Sequence, residues 1–211
     1  MNLCLESMAV DFPRLASHPN RAPFRGVLTL VDTPSDRAPS GAGGHRVLLA
    51  REAVERALPS LLGMGLDYAP ALDRHDAQRK VGIITEADIS HQSPVASHQL
   101  GSTGDRRPAT GDWLRIAGFL YARDFPQLMR ELRAQAKLCG SGSATRSWAG
   151  QRPAPTQAAS TPALGMSYEI AEARVEDLSA AVWRVVDFTF TGAAILRRDK
   201  AAYRDTWIEL I

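Results

Sequence analysis

A histidine set among aspartates, Asp73-Arg74-His75-Asp76, stands a few residues before the most apolar run of the middle chain, Lys80-Val81-Gly82-Ile83-Ile84. A loop feeding a central strand can hold a general base, because the strand fixes where the imidazole sits. A hydroxyl that such a base could activate is Ser167, in Leu164-Gly165-Met166-Ser167-Tyr168-Glu169-Ile170, the start of a predicted strand. A serine hydroxyl is a weak nucleophile at neutral pH, and a neutral imidazole within reach can take its proton during attack. His75 and Ser167 are far apart in sequence, so only the fold can unite them. The other histidines, His18, His45, His91 and His98, fall in loops and read as solvated side chains. Cys4 and Cys139 are too isolated to suggest a disulfide framework; they read as free thiols in a reducing compartment, and Cys139 has no obvious partner base.

Other chemistries lack their residues. No Gly-x-Gly-x-x-Gly follows a strand, and there is no Gly-x-x-x-x-Gly-Lys-Ser/Thr phosphate loop. Neither Cys-x-x-Cys nor His-Glu-x-x-His occurs, and no Gly-x-Ser-x-Gly elbow stands in a strand–turn–helix setting. No cofactor or metal is therefore expected. With 25 Lys+Arg against 23 Asp+Glu, the net charge is only +2. Arg106-Arg107 and Arg197-Arg198 read as solvated surface, so nucleic acid is an unlikely partner. The apolar runs are too short to cross a bilayer, and Met1 to Glu6 lacks the basic and apolar regions of a secretory signal.

The elements that must position these residues follow from pattern. With 211 residues, 45% of them hydrophobic, the chain has the composition of one ordinary globular domain. Residues 1–24 read as irregular, 25–200 as the single domain and 201–211 as a charged tail. Strands are predicted over 26–31, 47–49, 80–87, 113–121 and 181–190, and another begins at 165. Gly192 is expected to turn the chain into a short run over 193–196. Helices are predicted over Arg51–Leu62, and after Asp124 with Phe125, Leu128, Met129, Leu132 and Ala136 on one stripe. Residues 66–79 and 90–111 read as loops. Residues 139–163 hold four serines, three glycines, three prolines and no acid, the composition of a flexible insertion. Strands and helices do not alternate regularly. The expected class is α+β, with a mixed or antiparallel sheet or small β-barrel and flanking helices.

Four passages in this order resemble the prohead (capsid-maturation) serine proteases of tailed bacteriophages, which share the herpesvirus assemblin fold. Ala71 to Gly82 is similar to that family's histidine segment, and Ile116 to Ala122 to the strand that follows. Leu164 to Ile170 resembles the serine strand, and Val185 to Ile195 the closing strand with its acidic residue. The likeness spans roughly residues 25–200 and lies in order and spacing. It implies a herpesvirus-protease-like fold and a serine endopeptidase that processes scaffold and major capsid proteins during prohead maturation. It further implies Ser167 as nucleophile, His75 as base and Asp187 as the orienting acid, with Asp76 a local competitor. Activity within a procapsid in the host cytoplasm, in a possible homo-oligomer activated by assembly, also follows from the resemblance. The family often places a glycine soon after the serine; here Tyr168-Glu169 follows. Two other readings stay open: a protease-like assembly protein that acts only by binding, and an unrelated α+β binding domain.

Overall fold

The structure, a computed structural model, describes residues 18–90, 112–139 and 164–211. The expected insertion beyond Cys139, most of the 90–111 loop and most of the N-terminal segment lie outside the described residues. Within them the chain forms eight strands and two short helices: β1 Arg21–Val31, β2 Arg46–Leu49, α1 Arg51–Ala57, β3 Gly65–Tyr68, β4 Lys80–Ser90, β5 Asp112–Tyr121, α2 Pro126–Cys139, β6 Leu164–Val175, β7 Val182–Arg197 and β8 Trp207–Leu210. No helix among the described residues is long and apolar enough to cross a membrane.

All eight strands belong to one mixed sheet, in which β3, β4, β5, β1 and β8 follow one another outward from β7. β2 and β3 run parallel to β7 and pair with its first and last portions, while β6 pairs antiparallel along its other side. The sheet curls into a half-barrel, so β6 and β8 approach each other: the Met166 N–H donates to Thr206 Oγ1 just before β8. Its concave side holds the main core, including Phe24, Leu28, Leu66, Ile84, Leu114, Ile116, Leu120 and Met166. α1 contributes Ala53 and Val54 to this core, and α2 contributes Leu128, Met129 and Leu132. The α+β expectation, with a mixed sheet, therefore holds at this level.

Five local readings are corrected. The helix from Arg51 ends at Ala57, and Leu58–Leu61 continues as a 3-10 turn containing Pro59, whose missing N–H cannot extend an α-helical ladder. β7 runs unbroken from Val182 to Arg197, so Gly192 is not a turn. β3 lies where a loop was expected. The 201–211 tail supplies β8, which pairs with Phe24–Val27 of β1; β1 itself begins at Arg21. Asp124 sits before α2, but its carboxylate accepts a hydrogen bond from the Asn20 amide.

Close strand packing makes particular demands. Gly118 on β5 lies opposite Ile84 on β4 and Phe24 on β1. A Cβ there would drive into the Ile83 carbonyl oxygen. Backbone cannot yield as a flexible side chain can, so Gly118→Ala is expected to cost about 3 kcal/mol. Chemical denaturation should show it as a lowered midpoint at unchanged slope, and a shift under about 0.5 kcal/mol would contradict the packing described.

Candidate functional site

The site is built on one row of residues running across four strands. Lys80 on β4 pairs with Asp67 on β3, Asp67 with Ala194 on β7, and Ala194 with Ser167 on β6. Partners in register project to the same face, so the Asp67 carboxylate and the Ser167 hydroxyl share a side of the sheet. Their Cα atoms are two strand spacings apart, about 10 Å. Between them stands only the methyl group of Ala194. Ala194 packs with Leu196 and Ala201 in a small apolar cluster. On the opposite face, Met166 and the neighbouring Tyr168 turn inward, and burial pushes the Tyr168 phenol up to about 12. Tyr168 is thus a neutral packing residue, not a second base.

His75 reaches this row from the β3–β4 connection. The connection turns at Ala69–Leu72, where the Leu72 N–H donates to the Ala69 carbonyl and Leu72 itself adopts φ 53°. The Leu72 carbonyl accepts the Arg197 N–H at the end of β7, which ties the loop down onto the sheet. A second tether is the Asp76 N–H, which donates to Asp67 Oδ1 at 3.1 Å. These tethers lay the imidazole against the row: His75 Nδ1 is 3.4 Å from Asp67 Oδ2 and 3.6 Å from Glu169 Oε1. Asp67 is 1% exposed in its side chain, His75 17% and Glu169 50%. Lys80 Nζ lies 3.6 Å from Asp67 Oδ2 and partly offsets its charge.

A buried carboxylate at Nδ1 selects the tautomer that carries its proton there, because that N–H can then donate to Asp67. The other nitrogen, Nε2, is left with its lone pair. It is buried and has no hydrogen-bond partner among the described residues, Ser167 included. A buried polar atom without a partner costs free energy and calls for an explanation; one is an incoming hydroxyl proton. The three acidic and imidazole groups meet at one nitrogen of His75, and no group among the described residues is arranged to hold a metal ion.

The structure therefore lodges His75 against Asp67 and Glu169, on the face of the sheet that Ser167 shares with them, and His75 and Ser167 are not hydrogen-bonded. It does not bring Asp187 to them. Asp187 lies seven residues before Ala194 on an unbroken strand, about 20 Å away along β7. It is exposed, and Arg56 Nη2 lies 3.6 Å from its Oδ1. Asp76 contributes its backbone N–H, while its carboxylate accepts the Gln78 N–H and faces Arg79. Neither aspartate accepts from the His75 ring. Asp187→Ala is accordingly expected to leave any hydrolysis within about twofold, and stability within about 0.5 kcal/mol, as for an exposed ion pair. A peptide-cleavage assay on the variant checks it; a hundredfold loss would restore Asp187 to the site.

The acid that does meet the imidazole, Asp67, lies in residues 66–79, whose sequence carries a loop pattern although 65–68 form β3. Its signal is an aspartate between the apolar residues Leu66 and Tyr68, eight residues ahead of the histidine. Compared with known proteins, the chain matches no family model, no curated protein and no solved structure.

Proposed function

We propose that the chain is a serine endopeptidase of the prohead-protease type, which cleaves scaffold and major capsid proteins during phage head maturation. The observation that carries this reading is the row Asp67–Ala194–Ser167 with His75 lodged on it, Nδ1 toward the buried carboxylate and Nε2 unpartnered. The order of the four resembling passages supports the same reading, as does the β6–β7–β3 pairing that sets the serine strand near the histidine loop.

In the mechanism, Ser167 Oγ attacks the scissile carbonyl carbon and its proton passes to His75 Nε2. Asp67 holds the Nδ1–H and faces the positive charge that forms on the ring. Collapse of the tetrahedral adduct breaks the C–N bond, with the Nε2 proton going to the leaving amine. Water then hydrolyses the acyl-enzyme by the same route in reverse. The oxyanion donor in this reading is assigned from strand geometry. The Met166 N–H points off β6 toward Thr206, and the two-residue period turns the Tyr168 N–H to the same side. That amide directly follows the nucleophile, a position suited to the developing negative charge.

The unmade hydrogen bond between His75 and Ser167 favours a second reading, an assembly protein of the same fold that acts by binding alone. A shift of the His75 loop toward β6 would complete the pair, and contacts in a crowded procapsid or a homo-oligomer would supply the energy for it. Incubation of the purified chain with a library of unfolded peptides distinguishes the two. New peptide termini mark an endopeptidase; their absence, both in dilute solution and at high protein concentration, favours the binding protein.

A further inference from the structure

We propose that Glu169 is a second positioning carboxylate for His75, set in place by a notch at Gly192, and that it stabilises the imidazolium formed when His75 takes the Ser167 proton. The inference rests on the serine-hydrolase reading above. Three observations carry it. Glu169 follows Ser167 by two positions on β6 and so shares its face, and its Oε1 is 3.6 Å from the nitrogen that Asp67 also approaches. Its register partner on β7 is Gly192, where a Cβ would lie only 2.6 Å from Glu169 Oε2 and 3.3 Å from its Cδ. The carboxylate therefore occupies the space that a side chain at position 192 would fill. Finally, among the described residues the ion partner of Glu169 is His75 itself, whereas Asp67 is shared with Lys80.

The chemistry gives each carboxylate a separate task. Nδ1 carries one proton, which one oxygen accepts at a time. Buried Asp67, held by the Asp76 N–H, is the better fixed acceptor and orients the ring. When the Ser167 O–H bond breaks and its proton joins Nε2, the ring gains a full positive charge. Lys80 opposes that charge from behind Asp67, and Glu169 adds the negative charge that offsets it. Asp76 contributes little, since its carboxylate faces Arg79. An interaction that strengthens only as the imidazolium forms should act on the limiting rate and not on binding.

The test uses the purified full chain and a serine-directed phosphonate, following the rate of covalent labelling against reagent concentration. Glu169→Gln should lower the limiting rate about tenfold and leave the half-saturating concentration unchanged. Gly192→Ala keeps the glutamate chemically intact but crowds its Cβ at 3.2 Å as well as its Oε2 at 2.6 Å, which displaces the side chain, and should give the same loss. The double variant should be no slower than either single one, because both remove one interaction. Glu169→Gln labelling at the wild-type rate would overturn the proposal, as would a change confined to half-saturation. If the wild-type chain is not labelled at Ser167 at all, the serine-hydrolase reading fails and this inference falls with it.

Discussion

Ser167→Ala is expected to abolish peptide cleavage, lowering it by about a million-fold, while the melting temperature moves by no more than about 2 °C. The first part follows from chemistry. With a methyl group in place of the hydroxyl, no acyl-enzyme can form, and the residual rate is that of a bound peptide in water. The second part follows from where the residue sits. Ser167 is half-buried at the rim of the site, and its strand is held through backbone pairing with Ala194 and through the Met166 N–H on Thr206 Oγ1. None of these bonds uses the hydroxyl. Alanine is slightly smaller and less β-prone than serine, which accounts for the small shift allowed. Cleavage of an unfolded protein followed by mass spectrometry, beside a thermal melt, measures both. Persisting cleavage with a wild-type pattern would remove Ser167 from the mechanism.

Asp67→Asn is expected to reduce cleavage about ten-thousand-fold without unfolding the chain. Asparagine keeps the size of the side chain, and its carbonyl oxygen can still accept the Asp76 N–H that anchors the loop. Its NH2 group, however, would then face His75 Nδ1. Two donors cannot share one bond, so the ring adopts the other tautomer and places its proton on Nε2. A protonated Nε2 has no lone pair for the Ser167 proton. Lys80 also loses a charged partner, but it is partly exposed and water can replace what it loses. The destabilisation should be about 1–2 kcal/mol, read by chemical denaturation. An Asp67→Asn chain that cleaves within tenfold of wild type would show that the carboxylate next to His75 is not its orienting acid.

The parts of this fold that the sequence discloses are those whose pattern is local. β4 and β5 carry long apolar, β-branched and aromatic runs, and the α2 stripe repeats at helical spacing after Pro126 in the first turn. β3 has no such signal. Its four residues, Gly65-Leu66-Asp67-Tyr68, lie between Gly63 and Pro70, which both argue for a turn. What makes them a strand is non-local: antiparallel pairing with β4 on one side and parallel pairing with the end of β7 on the other. Asp67, the carboxylate that meets His75, is hidden for the same reason. Gly192 misled in the opposite way. A glycine after a long apolar run reads as a turn, yet here it lies in mid-strand, where its missing side chain leaves room for the Glu169 carboxylate. With β7 running straight on, Asp187 is carried away from the site, and the residues at the far end of the strand arrive beside Ser167. The strands next to His75 and around Ser167 are legible, since Val81–Ile84 and the run from Gly165 carry local strand pattern.

The most direct measurement of the central claim is mass mapping after exposure of the purified chain to a serine-directed phosphonate. A single covalent adduct is expected on the tryptic peptide containing Ser167, lost in Ser167→Ala and strongly slowed in His75→Ala. An adduct on a different serine, or labelling of Ser167 that proceeds equally well without the His75 imidazole, would contradict it.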